Sequence, residues 1–103
     1  MYRGTTPRIT FTLDTSVDLS TVEEAWVTFK TATTEVTKYL SEEEVGIDAS
    51  KTQMFVELTQ DETLSLYSGV ANVQIRFRTQ SGKAYATEVK QVNVGKILKE
   101  GVI

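Results

Sequence analysis

The sequence predicts an all-β, immunoglobulin-like antiparallel β-sandwich of about seven strands with one short helical crossover, forming a single domain over residues 1–103. Three observations predict it. From Val70 to Thr79, apolar Ala71, Val73, Ile75 and Phe77 alternate with polar Asn72, Gln74, Arg76 and Arg78, the period of a strand with one buried face. The turn residues Gln80-Ser81-Gly82-Lys83 and a second strand-like run from Ala84 follow, which makes a hairpin. Elsewhere strand signals recur with turn residues between them, and a helical pattern occurs once.

The first strand is Arg8 to Leu13, where Ile9, Phe11 and Leu13 alternate with Arg8, Thr10 and Thr12. Pro7 cannot donate to a ladder, which suits a strand start or an edge. Asp14 to Thr21 is a loop rich in Asp, Ser and Thr, with Leu19 as an apolar plug beneath it. The second strand, Glu24 to Thr31, points Ala25, Val27 and Phe29 inward and Trp26, Thr28 and Lys30 outward. An outward Trp26 calls for a cover, either the N-terminal segment or a partner. Thr34 to Tyr39 is a short β-branched strand, Ser41 to Glu44 a solvated turn, Val45 to Asp48 another short strand, and Ala49 to Thr52 a turn. Gln53 to Leu58 alternates again, with Met54, Val56 and Leu58 inward.

Thr59-Gln60-Asp61-Glu62 is the helical signal. Thr59 can accept from the amide three residues on, and Glu62 can reach back to the Thr59 amide, a capping box. Leu64 and Tyr67 lie about one turn apart with Leu66 adjacent, and Gly69 is placed to end the helix in the left-handed conformation. The helix crosses between strands of different sheets, and Glu62 serves as a cap.

In the last run Ala84 and Ala86 are expected inward, with Val92 and Val94 on the same parity. Glu88 and Lys90 interrupt that face, so either a β-bulge shifts the register near Val89 or this end projects beyond the core. Gly95 breaks the strand. The following Lys96 to Ile103 is more apolar than a free end usually is and is expected to pack on something.

Composition narrows the chemistry. A chain of 103 residues can build one two-layer core but not a deep cleft between subdomains. With neither cysteine nor histidine, it has no disulfide, no thiolate ligand or nucleophile, and neither the commonest general base nor the commonest metal ligand. The net charge of −3 has the wrong sign for neutralising phosphates, so nucleic acid is not an expected partner. The N-terminus lacks the apolar stretch of a signal peptide, and no later apolar run approaches the ~20 residues of a membrane span. No membrane association is expected.

Candidate sites resolve to bland roles. Glu42-Glu43-Glu44 with Asp48 nearby could offer oxygens to Ca²⁺, but the spacing matches no cation loop and reads as a solvated face. Asp61 and Glu62 are adjacent at a helix start, whereas glycoside chemistry needs two opposed carboxyls about 5–10 Å apart. Serines and threonines are numerous without a histidine or a Ser-Lys spacing to activate them. The glycines are scattered singly, so no phosphate loop exists. No enzyme activity, cofactor, metal or small-molecule substrate is expected. Arg76 and Arg78 share one outward face with Gln74 and Asn72, within reach of Glu88 and Lys90 across the hairpin. That face, with Trp26 or Tyr85 beside it, is the alternative reading: a carbohydrate-binding module.

Arg3-Gly4-Thr5-Thr6-Pro7 leading into a strand, Leu58-Thr59-Gln60-Asp61-Glu62-Thr63 before a crossover, and Val73-Gln74-Ile75-Arg76 before Ser81-Gly82-Lys83-Ala84 form a recognisable order. In this order the chain resembles small proteins encoded among the tail genes of phages and prophages of Firmicutes. It also resembles the immunoglobulin-like N-terminal domain of phage baseplate upper proteins, in which a β-sandwich anchors receptor-binding parts to the tail. The resemblance implies a structural virion component, made in the bacterial cytoplasm and carried out in the assembled particle, whose partners are other virion proteins or further copies of itself. Such anchor domains are normally followed by a linker, a coil or a receptor-binding head, whereas this sequence stops at Ile103; an adaptor or accessory subunit is therefore expected. No site residue transfers from the family. From the residues themselves, the apolar Tyr2, Trp26, Ile97, Leu98, Val102 and Ile103 are the expected contact surface, because a lone domain of this size struggles to cover them.

Overall fold

Alternation decides which side chains meet: Ala25, Val27 and Phe29 of one strand and Ala71, Val73, Ile75 and Phe77 of its neighbour are all buried. The computed structural model describes residues 1–13, 16–67 and 69–103, so Asp14 and Thr15 of the expected loop lie outside the described residues. Within them the strands are β1 (Arg8–Thr12), β2 (Val22–Lys30), β3 (Glu35–Tyr39), β4 (Val45–Ile47), β5 (Gln53–Glu57), β6 (Gly69–Thr79), β7 (Ala84–Ala86) and β8 (Lys90–Val94), with one helix, α1 (Gln60–Ser65). One sheet has the order β1-β5-β4. The other runs β3-β2-β6, with β7 and β8 both paired along the far side of β6, and every ladder between these strands is antiparallel. The chain is thus an all-β sandwich of two antiparallel sheets, and α1 carries it from β5 in one to β6 in the other.

Three strands face a sheet four strands wide, as in an immunoglobulin-type sandwich. The order within the layers is the chain's own. Here β2 lies between β3 and β6, whereas the constant-type immunoglobulin order sets the second strand beside the first and fifth.

Both layers contribute to one core. Met54, Val56 and Leu58 face Val27, Phe29 and Val73, and Leu19 closes one side from a single 3-10 turn at Leu19–Thr21. Asp18 starts that turn by accepting the Ser20 amide at 2.9 Å, and the Ser20 hydroxyl, followed by that amide, holds its carboxyl below the usual range. Gly46 of β4 passes directly beneath Phe55, where a Cβ would come within 2.2 Å of the ring.

Two expectations need correction. Along β6, Val73 and Phe77 are four residues apart, yet their partners Lys90 and Tyr85 are five apart. The extra residue is a bulge between β7 and β8, fastened by Thr87 N donating to Ile75 O at 2.9 Å and Ile75 N donating to Thr87 Oγ1 at 3.1 Å. The bulge reverses the parity of β7. Tyr85, not Ala84 and Ala86, shares the face of Phe77 and stacks on it with centroids 5.2 Å apart, while both alanines are exposed. Gly69, in turn, does not end the helix. Leu66 caps α1 in an extended conformation, and Gly69, with φ of 125°, opens β6. Within α1 the buried residue is Thr63; Leu66, just after it, is buried too, and Tyr67 is exposed.

Candidate functional site

The first residues of the chain add a short parallel stretch beyond β8. Met1 donates its ammonium to Asn93 O at 2.8 Å, Gly95 N donates to Met1 O at 2.6 Å, and Arg3 N donates to Gly95 O at 3.2 Å. Tyr2 lies flat over Gly95, where a Cβ would be 2.7 Å from its ring; any larger residue at 95 would displace it.

Arg3 then binds two regions at once. Its Nη2 donates to Leu64 O at 2.6 Å and its Nε to Leu66 O at 3.1 Å, satisfying carbonyls that the end of α1 leaves without helical partners. Its Nη1 pairs with Glu100. Gln60, at the other end of α1, donates to Ile103 O at 3.1 Å and accepts from Ile103 N at 2.8 Å. Thr63 accepts from Thr5 N at 3.1 Å and donates to Thr5 O at 2.9 Å. Residues 1–5 and 96–103 therefore converge on α1, and Ile97 and Leu64 both approach the place where a Cβ on the left-handed Gly4 would sit.

Five of the six expected contact residues come together there. Ile97 is half-buried, Tyr2 and Val102 are mostly exposed, and Leu98 and Ile103 are fully exposed. Trp26 is elsewhere, on the outer face of the wider sheet and 42 % exposed. The N-terminal segment does not cover it, because that segment is committed to Gly95. Tyr39 packs against Trp26 edge-on at 5.8 Å instead, and the Arg76 guanidinium lies over the indole at 5.5 Å. A recess of about 150 Å³ opens beside Trp26, Arg76 and Ala84.

Other candidates dissolve into local roles. Arg78 pairs with Glu23 at 3.0 Å, and neither arginine of β6 pairs with Glu88 or Lys90 among the described residues. Glu43 takes the left-handed position ending a 3-10 turn, Glu44 accepts the Tyr39 amide at 3.2 Å, and Asp48 accepts from Ser50 and Gln53. The Ser50 hydroxyl does most to hold the Asp48 carboxyl below the usual range. Glu62 is a cap, as the sequence requires: its Oε1 accepts the Thr59 amide at 2.8 Å while Thr59 Oγ1 accepts the Glu62 amide at 3.2 Å.

One charged residue was missed by sequence reasoning. Lys38 is 6 % exposed, with Nζ 2.7 Å from Glu62 Oε1 and 3.8 Å from Glu44 Oε2. Its signal was its parity with Val36, which places a lysine on the core side of β3. A groove of about 920 Å³ runs past Lys38, Glu44, Thr59, Asp61 and Val102, beside the converging ends.

No protein-family model matches the chain, and a search of curated proteins finds no significant match. Among the described residues no helix is long and apolar enough to cross a membrane.

Proposed function

We propose that the chain is a non-catalytic structural component of a phage or prophage virion, associated with the tail or baseplate, that acts through protein–protein contacts. The biological setting rests on the sequence resemblance to tail-gene products and baseplate upper proteins. The mode of action rests on one observation: two sequence-distant segments are tied to α1 by Arg3 and Gln60, and together they present Tyr2, Leu98, Val102 and Ile103 to solvent. Fixing a segment through backbone and side-chain hydrogen bonds while leaving its apolar side chains outside fits a surface prepared for a partner. The partners are other virion proteins or further copies of the chain, and production in the bacterial cytoplasm precedes assembly.

The test is to purify phage particles on a density gradient from the bacterium carrying this gene and to probe the fractions with an antibody against the chain. It is expected to sediment with tails. Recovery only in the unsedimented fraction would sink the reading.

A second reading, carbohydrate binding, draws support from the Trp26–Tyr39–Arg76 cluster, because an exposed indole beside a cationic donor is a surface on which a sugar ring can stack. Binding on a glycan array that disappears in Trp26→Ala would favour it over the structural role.

A further inference from the structure

The chain has four arginines, and three of them hold a carboxylate: Arg3 pairs with Glu100, Arg8 with Glu57 and Arg78 with Glu23. Arg76 holds none. Among the described residues its side chain forms no ion pair and no hydrogen bond, and its contact is the Trp26 ring at 5.5 Å. An indole attracts the charge of a guanidinium but offers no oxygen to its five N–H donors. A carboxylate lies close by and is committed elsewhere. Glu24, which lines the same recess, turns its Oε1 to the Ala25 amide at 2.9 Å and the Ser41 amide at 3.0 Å.

The surroundings of Arg76 are both fixed and open. Trp26 and Arg76 are register partners on β2 and β6, the two inner strands of the wider sheet. Tyr39 of the neighbouring β3 packs edge-on against the indole at 5.8 Å. On the other side, the β7 partners of Arg76 and Arg78 are Ala86 and Ala84, both exposed, so no long side chain stands over that part of the sheet. This leaves the recess of about 150 Å³, well below the ~300–1,000 Å³ of pockets for drug-sized ligands and suited to a single ring.

We propose that this recess binds an acidic sugar: one pyranose ring rests against the exposed part of Trp26, and a carboxylate or phosphate on that ring accepts from Arg76. The proposal rests on the sugar-binding reading above and adds the charge of the ligand. Charge complementarity selects it, because an oxyanion can take two donors of a guanidinium at once, whereas a neutral sugar leaves the arginine without a counter-charge. A simple carboxylate without a ring would leave the indole unused. The anchoring of Trp26 and Arg76 on inner strands lowers the ordering cost of binding.

Trp26 is the single tryptophan of the chain, so tryptophan fluorescence reports on this recess. The test titrates the full chain with methyl glucuronide, glucose-6-phosphate and methyl glucoside. At least one of the two acids is expected to bind roughly ten- to hundredfold more tightly than methyl glucoside, the range for a hydrogen bond to a charged group. The tighter of the two tells a carboxylate from a phosphate ligand. Arg76→Gln is expected to abolish the preference for acid while methyl glucoside binds as before, and Arg78→Gln to retain it. Rising salt should also reduce the preference in the unaltered chain, and this measurement decides should Arg76→Gln fail to fold.

Equal binding of the acids and methyl glucoside overturns the proposal and leaves the sugar-binding reading standing. A preference that survives in Arg76→Gln, or that salt does not reduce, also overturns it, since the anion then sits elsewhere. The absence of any response to all three sugars overturns it too; the glycan array then decides the sugar-binding reading, and particle sedimentation the virion role.

Discussion

Lys38 and Glu62 are joined by a 2.7 Å ion pair between β3 and the start of α1, and the same Glu62 oxygen accepts the Thr59 amide that begins the helix. One carboxylate therefore neutralises a lysine on the core side of the sandwich and caps the crossover linking its two sheets. Among the described residues, no buried side-chain nitrogen or oxygen is left without a hydrogen-bond partner. Such complete pairing is what makes a charge at a core position tolerable.

Removing the lysine stem should be costly. Lys38→Ala is expected to lose about 2 kcal/mol, less than the roughly 3–5 kcal/mol for breaking a fully buried pair, because Glu62 is partly exposed. Lys38→Met keeps most of the volume and should lose less than the alanine variant. Urea denaturation of both variants measures this, and equal losses would mean that charge, not packing, dominates at this position.

Acid should weaken the same junction. Burial opposes ionisation of Glu62, but hydrogen bonds from Lys38 and the Thr59 amide outweigh it and hold the carboxyl below its ordinary value of 4.5. A carboxyl with a lowered folded-state pKa gives stability that is fully present above 4.5 and disappears as pH falls through the folded value. The unaltered protein should therefore lose more stability than Glu62→Gln as pH drops below 4.5. Urea midpoints of the two proteins at a series of pH values make the comparison, and parallel curves would contradict it.

Arg3 should govern the converging ends more than the core. Arg3→Ala leaves Leu64 O and Leu66 O without their side-chain donor and breaks the link to Glu100. A loss of about 1–2 kcal/mol is expected. Amide exchange at Gly95 and Ile103 should accelerate while exchange in β2 and β6 changes little beyond that global loss. Uniform acceleration across the chain would show that the ends and the core open as one unit.

The contact between Gly46 and Phe55 predicts a coupled pair of substitutions. Gly46→Ala forces the Phe55 ring out of its place and should cost about 1–3 kcal/mol, the range for overpacking. In Phe55→Ala the space is free, so adding Gly46→Ala should then cost much less. Additive losses in a double-mutant cycle by thermal unfolding would exclude this steric account.

The layers were legible because a period of two needs only local information. Ala25, Val27, Phe29, Met54, Val56, Ala71, Val73, Ile75 and Phe77 face the core as their alternation requires, and the capping box of Thr59 and Glu62 forms where the sequence places it. Where alternation broke, between Thr87 and Val89, the interruption by Glu88 and Lys90 admitted a bulge. The parity on either side of it could not be assigned without knowing which residue of β6 each one faces. Tyr85 opposite Phe77 and Lys90 opposite Val73 settle that.

The candidate contact surface divides in the same way. Its apolar residues were evident from composition near the two ends of the sequence. That Tyr2 lies on Gly95, that Arg3 and Gln60 tie residues 96–103 to α1, and that Trp26 belongs to a different face are consequences of pairings between residues far apart in the chain. By itself the sequence determined the all-β class, the inward and outward sets of most strands and the capped crossover, because each follows from neighbours within a few positions. Only the tertiary structure decided the strand order, the reversed parity of β7, the burial of Lys38 against Glu62 and the convergence of the ends. Each depends on which distant strand or helix end lies alongside, and residue spacing along the chain does not encode that contact.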